Sequence, residues 1–374
     1  MGKRTTFLYL SEEDTIKAGV KDYKKCIDNA EEVFQLLSQG DYLMGGSNHN
    51  SHGMGLVFSK ESPFPNMPLA GPDRRFVAMP AYLGGRFDVC GCKWYGSNAA
   101  NKDKDLPRSV LTLTLNDKDT GEPLAFMSAN LLSAARTGAV PGVAARHLAR
   151  KDSQVAAVLG CGQINRSCLM NILTEVPSVK KVICYDIFEA AAESFAKWVG
   201  EVTGLEAVPE LDLETALKDA DVVTVAASRL QPLYIKDGWI KKGASVLISG
   251  PIKSDASFWK NTTLIYDNTR LHEAYMQEAI ESGDKAGYYA GVIGGEIYTL
   301  IDKGEMPKLE DSVSIGEVIL KQKPGRTRDD EIVTFVACGM ATFDVGLGYD
   351  LYKTALQEGY GQELVLWEEP DQLK

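Results

Sequence analysis

Between Ser153 and Asp186 the chain passes through an apolar run, a turn with two glycines (Gly160 and Gly162), an amphipathic stretch Ile164–Glu175, a second apolar run Lys181–Tyr185, and an acid. Strand, tight turn, helix, strand in that order predicts a parallel βαβ unit, because a right-handed crossover is what brings two such strands side by side. Gly160 allows the tight turn, and Gly162 lets backbone approach a pyrophosphate at the N-terminus of the helix. Asn165 stands where a third glycine is usual. Asp186 ends the second strand, where a carboxylate can accept both ribose hydroxyls of an adenosine and would repel a 2′-phosphate. The following Ile187-Phe188-Glu189 supplies no arginine to offset that repulsion. These residues predict a site for NAD in preference to NADP.

The alternation continues with short apolar strands at Val222–Ala226, Ser245–Ser249 and Leu264–Tyr266, so a doubly wound parallel sheet of Rossmann type is expected. Its flanks read differently. Ser11–Ser38 has helical periodicity, with Ser11 and Asp14 placed as a capping box. Gly40–Asp73 reads as a long loop, and Phe76–Pro80, Val89–Trp94, Val110–Leu115 and Leu124–Met127 read as a meandering, largely antiparallel sheet. Leu131–Arg150 reads as a helix of small residues that Pro141 should kink or restart. After about Leu300 the α+β character returns, ending in a helix Met340–Glu358. The expected architecture is a discontinuous α+β domain, residues 1–135 and 315–374, with the nucleotide-binding domain 136–314 inserted in it.

A net charge of −11 over 374 residues argues against nucleic acid and anionic membrane as partners. No window approaches the ~18 apolar residues of a membrane span, and the N-terminus lacks the apolar stretch of a signal peptide. Seven cysteines without framework spacing predict free thiols in a reducing cytoplasm. His49 and His52 form an HxxH in the long loop without an evident third ligand, so no metal site is expected.

Two cations stand in unusual places. Arg136 follows two alanines in the middle of the small-residue helix and needs an anion there: a substrate carboxylate, a cofactor phosphate or a structural partner. Lys93 closes an apolar strand before a loop of Gly and Asn. Apolar surroundings and nearby cations can lower a lysine's pKa enough for it to act as a base.

The stretches FVAMPAYLGG, GCKWYGSN, LPRS and SAARTGA, the turn Gly160-Cys161-Gly162-Gln163, and the C-terminal GRTRDDEIVTFVACGMATFD together resemble the ornithine cyclodeaminase/μ-crystallin family over nearly the whole chain. The resemblance implies a homodimer whose first domain makes the dimer contact and the substrate pocket. It implies chemistry at the α-carbon of an amino acid through an imine. It assigns Lys93 and Arg136 to catalysis, and Arg75, Lys93 and Arg136 to substrate carboxylates; Arg108, an addition to the family pattern, points to a second acidic group on the substrate or to a surface contact. Thr137, Gly160, Gly162, Gln163, Ile164, Asp186, Ser228 and Gly250 fall to the cofactor. Arg75 is chosen over its neighbour Arg74, and Arg108 takes a position where cyclodeaminases carry threonine.

Val77 and Pro251 stand where that family's cyclodeaminases carry carboxylates, and Asp255 follows a few residues later, placed equally well to cap a helix. These departures favour the family's amino-acid and imine dehydrogenases, among them those of N-substituted amino acids. A cyclodeaminase with internally recycled NAD and a non-catalytic binder of the nucleotide are the alternatives. Trp94, Tyr95, Tyr288 and Tyr289 are read as core packing before pocket lining.

Overall fold

A computed structural model describes residues 3–227 and 232–371. The chain divides into two compact units: residues 3–29, 40–136 and 340–371 form one, and residues 30–39 and 137–339 the other.

The first unit is built on an antiparallel sheet. Its strands are β1 (Thr5–Leu10), β2 (Tyr42–Met44), β3 (Met54–Val57), β4 (Arg75–Leu83), β5 (Val89–Ser97), β6 (Ser109–Asn116), β7 (Pro123–Ser128) and a C-terminal strand, Gln362–Trp367. The spatial order is C-terminal strand, β1, β7, β6, β5, β4, β2, with β3 also paired to β4. Only β1 and β7 run parallel. The expected long loop thus contributes two short strands.

Alternation decides the faces of this sheet. Val77, Met79, Lys93, Leu113 and Met127 point to one face and are buried. Each large apolar side chain among them contributes ~1.5–3 kcal/mol by leaving water. The last helix, Ala341–Glu358, covers that face through small residues. A Cβ on Gly91 would meet Val345 Cγ2 at 2.9 Å, and one on Gly348 would collide with Leu113. The single helix expected at the N-terminus is two: α1 (Glu12–Lys17), opened by the Ser11–Asp14 capping box, and α2 (Tyr23–Gln39). Gly19, at φ +105°, turns the chain between them.

The second unit is a parallel sheet. Its strands are β8 (Val155–Leu159), β9 (Lys181–Tyr185), β10 (Glu206–Glu210) and β11 (Val222–Val225), followed by β12 (Leu233–Ile235), β13 (Ser245–Ile248), β14 (Ile252–Ser254), β15 (Thr263–Tyr266), β16 (Val313–Ser314) and β17 (Val333–Val336). The order is β10-β9-β8-β11-β13-β17-β15-β16, while β12 and β14 pair apart. Strand order reverses between β8 and β11, the switch point at which such sheets bind nucleotides.

Two expectations are corrected here. The inserted segment ends at Gly339, not at residue 314, because β17 pairs with both β13 and β15 inside the parallel sheet. The helix α3 (Asn130–Leu148) continues through Pro141. Pro141 removes one hydrogen bond toward the carbonyl of Thr137, and the helix tolerates the loss among small, buried neighbours (Gly138, Ala139 and Ala144). Among the described residues no helix is long and apolar enough to cross a membrane, and every cysteine is free.

Candidate functional site

In the parallel unit the glycine turn joins β8 to α4 (Gln163–Glu175), with Gly162 as N-cap and no side chain capping the helix. The first N–H groups of α4 therefore face outward unclaimed by a cap, as an anion site requires. Gly160 has φ +94°, and a Cβ there would lie 2.8 Å from Ala227 Cα. A Cβ on Gly162 would meet nothing within 4 Å, so backbone opens directly onto free space. Gly250, after β13, packs against Ala226 and Ala227 in the same way, with 3.2 Å from a built Cβ to Ala227 N. The ends of β8 and β13 thus close on Ala226–Ala227 after β11 with nothing larger than a methyl group between them, a cradle that fits a dinucleotide's pyrophosphate.

Asp186 follows β9. One carboxylate oxygen accepts the Cys161 N–H at 2.8 Å and the other accepts the Phe188 N–H at 3.1 Å. The acid is thereby fixed beside the glycine turn, with lone pairs left over for ribose hydroxyls. Asn165 gives a reason for the missing third glycine. Its Nδ2 donates to the carbonyls of Leu159 (2.8 Å) and Gly160 (2.7 Å), and its Oδ1 accepts from Thr224 Oγ1 at 3.0 Å. A buried side chain here ties the turn shut where a glycine would only make room.

Gln163 is exposed at the first turn of α4 and Ile164 half-buried beside it. Thr137 is half-buried on α3, next to Gly138. A Cβ on Gly138 would come within 2.5 Å of the Ser167 carbonyl carbon, so the small residues of α3 admit the backbone of α4. Ser228 lies outside the described residues.

In the antiparallel unit Lys93 sits in the middle of β5, not at its end, and is 2% exposed. Its Nζ donates to Asp344 Oδ2 at 2.8 Å, and Arg136 Nε donates to the other oxygen, Oδ1, at 3.1 Å. Burial, followed by the neighbouring Arg136 cation, pushes Lys93 down to about 8 against the pull of Asp344. Arg136 therefore has its anion in the protein itself. That contact uses Nε alone, and among the described residues neither Nη of Arg136 has a hydrogen-bond partner. Asp344 closes the motif GRTRDDEIVTFVACGMATFD that carries the resemblance, with its spacing from Gly339, but the sequence assigns it no role; a carboxylate in the apolar run MATFDVGLG is the available signal.

Arg75 and Arg108 both reach Asp73, at 3.0 Å from Nη1 and 2.5 Å from Nε. Burial raises the Asp73 carboxyl, but Ser97, Arg108 and Arg75 together hold it below its ordinary range. Arg74 instead donates to the Leu69 carbonyl at 3.1 Å, inside its own loop.

Asp255 occupies an N-cap position without capping its helix. It accepts from Tyr234 Oη and from the Asp237 N–H at 2.9 Å, which leaves it a structural post between β12 and β14. Trp94 is 46% exposed on the outward face of β5 and belongs to no core. Tyr95 shares the inward face with Lys93, its ring 5.8 Å from Nζ. Tyr288 and Tyr289 bond Glu278 and Asp302 in a separate helical cluster.

A Rossmann-type sheet with an open glycine cradle and an acid after its second strand defines a dinucleotide-binding protein. The chain belongs to the ornithine cyclodeaminase/mu-crystallin family, whose profile matches residues 20–359. It is 28% identical over 295 residues to N-((2S)-2-amino-2-carboxyethyl)-L-glutamate dehydrogenase of Staphylococcus aureus, covering 78% of this chain and 82% of that protein. It superposes on the Thermococcus litoralis Δ1-pyrroline-2-carboxylate reductase in complex with NADH and L-proline with a TM-score of 0.77. That match has 25% identity and covers 95% of this chain and 99% of the other. An archaeal alanine dehydrogenase dimer with bound NAD gives a TM-score of 0.77 at 27% identity, covering 97% of this chain and all of the other.

Proposed function

We propose that this protein is an NAD-dependent oxidoreductase that interconverts a carboxylate-bearing amino acid, or N-substituted amino acid, and its imine. The buried set Lys93–Asp344–Arg136 carries this reading. The named relatives and structural neighbours, each a dehydrogenase or reductase, support it.

Oxidising an amine at carbon needs a hydride acceptor and a base for the N–H proton. When bound, the nicotinamide supplies the hydride acceptor in one direction and the donor in the other. Lys93, with its pKa near 8, is neutral often enough to take the proton as the C–N bond gains double-bond character. As the ammonium it returns the proton in reduction. Asp344 holds Lys93 in place and keeps its charged form accessible. The free Nη edge of Arg136 matches a carboxylate bidentately, and Arg75 and Arg108 add positive charge on the same unit. The cradle at Gly160, Gly162 and Gly250, with Gln163, Ile164 and Thr137, would hold the dinucleotide, and Asp186 its adenosine ribose. Val77 and Pro251 stand in place of carboxylates and Asp255 is committed to Tyr234, so none of these three positions offers an acid for directing a cyclisation or hydrolysis of the imine.

The test is turnover against cofactor binding. Lys93→Ala should lower the rate of NADH formation with a pooled amino-acid panel by ~10²–10⁴-fold while NADH fluorescence still reports binding. Near-normal turnover in that variant would remove Lys93 from the mechanism. Ammonia release by the wild type without net NADH would indicate cyclodeamination, and tight NADH binding without any turnover would indicate a binding protein.

A homodimer in the cytoplasm belongs to the same proposal. The outward face of the antiparallel sheet presents Phe76, Ala78, Pro80, Cys92, Trp94, Thr112, Thr114 and Phe126, none of them charged. Phe76 and Trp94 stack there at 5.5 Å. A neutral, aromatic face of this kind suits a second copy. A solution mass of twice 40.8 kDa is expected.

A further inference from the structure

Arg136 is not alone in being held by one nitrogen. Arg108 donates through Nε to Asp73, and among the described residues its two Nη groups have no hydrogen-bond partner. Arg75 touches the other Asp73 oxygen through Nη1. Asp73 also accepts from Ser97 Oγ, which in turn receives a hydrogen bond from Ser109 Oγ at 3.0 Å. One carboxylate thus gathers two arginines whose side chains are 44% and 43% exposed, leaving a local surplus of one positive charge in an acidic chain. A surface ion pair ordinarily adds little. This one is built with more constraint: Asp73 adopts φ +54°, in the left-handed region that a non-glycine residue rarely occupies without support from its surroundings.

The placement relative to Lys93 gives the cluster its meaning. Ser97 lies on the same face of β5 as Lys93, four residues further on, or about 14 Å along the strand. Arg75 pairs across from Ser97 on β4, and Ser109 pairs with it on β6. The unit therefore carries two arginine forks, each anchored at Nε by a protein carboxylate and each presenting its Nη edge. One belongs to the Lys93 set, and the other stands at the far end of the same stretch of strand.

We propose that Arg108, with Arg75, is a subsite for a second carboxylate, and that the substrate is an amino or imino acid bearing a remote acidic group. This rests on the oxidoreductase reading above. Asp73 is the positioning residue. It suppresses the repulsion between the two arginines, sets Arg108 by its Nε, and leaves the bidentate edge for the ligand. A charge-assisted bidentate contact is strong enough to give tenfold discrimination or more.

The experiment is calorimetric titration of the NADH-loaded full-length protein with two unreactive probes of equal carbon count, azelate and nonanoate, the first long enough to reach from one fork toward the other. Azelate should bind at least tenfold more tightly than nonanoate. In Arg108→Gln that ratio should fall toward one, and Arg75→Gln should lower it in part. A wild-type ratio near one, an unchanged ratio in Arg108→Gln, or no measurable azelate binding by the loaded protein each overturns the subsite. The loading step reads the other proposal separately, since failure of the wild type to bind NADH would overturn the oxidoreductase reading itself. NADH affinity and thermal midpoint, measured on each variant, show whether the altered chain is folded.

Discussion

Under the proposed function the two units would receive negative charge by opposite means. In the parallel unit the proposed receptor is backbone: a glycine turn, a helix start without a side-chain cap and strand ends bearing only glycine and alanine, with Asp186 beside them. In the antiparallel unit the receptor is made of cations, Lys93 and Arg136, buried on one compensating carboxylate, Asp344. A backbone receptor depends on the absence of a Cβ and tolerates changes in most neighbouring side chains. A charge receptor depends on the balance of its members: removing Asp344 leaves two buried cations without a counter-charge, whereas removing either cation leaves a neutral pair.

That contrast can be broken most forcefully at Asp344. Asp344→Asn leaves two buried cations facing each other without a counter-charge and should lower stability by ~3–5 kcal/mol, read as a shift in the urea midpoint. An unchanged midpoint would mean the cations are not buried together in solution. Gly160→Ala tests the other receptor. The left-handed backbone and the 2.8 Å approach to Ala227 should cost ~1–3 kcal/mol and weaken NADH binding about tenfold or more, while Gly121→Ala, at a positive φ with open space, controls for backbone strain alone.

The smallest effect is a pH slope. Lys93 holds its proton less tightly folded (about 8) than unfolded (10.5). Between those values the unfolded chain binds more protons, so Lys93 contributes a rise in stability from about pH 8 to 10.5, and its burial penalty is fully present below pH 8. Denaturation at pH 7.5 and 9.5 should show this rise in the wild type and lose it in Lys93→Met. A matching slope in both would place the titration elsewhere.

The two receptors also differ in how openly the sequence displays them. Gly160, Gly162 and Asp186 lie within one βαβ unit, and local spacing alone announces their geometry. The parallel strands were readable for the same reason, each being a short apolar run between turn residues. Asp344 was not readable as a partner of Lys93, because 251 residues separate them and no local pattern records such a pairing. Asn165 reads as a gap in a glycine pattern, whereas its three hydrogen bonds tie the turn shut, which a glycine could not do. The extent of the insertion was misjudged because β17, Val333–Val336, is too short to declare which sheet it joins. Pro141 reads as a restart or a kink of α3; the helix does not restart there, and its neighbours are small and buried. The Arg75–Asp73–Arg108 cluster depends on cross-strand register, which periodicity does not specify.

The distance in sequence between Lys93 and Asp344 has a further meaning for a chain made from its N-terminus. At ~5–20 residues per second, Asp344 leaves the ribosome roughly 10–50 s after Lys93. Throughout that interval β5 lacks both the last helix that covers its inward face and the carboxylate that neutralises its lysine. The parallel unit, whose strands from β8 to β17 are all synthesised before Asp344, can close first. The antiparallel unit is then an assembly that waits for its final element, with the buried face of its sheet uncovered in that interval.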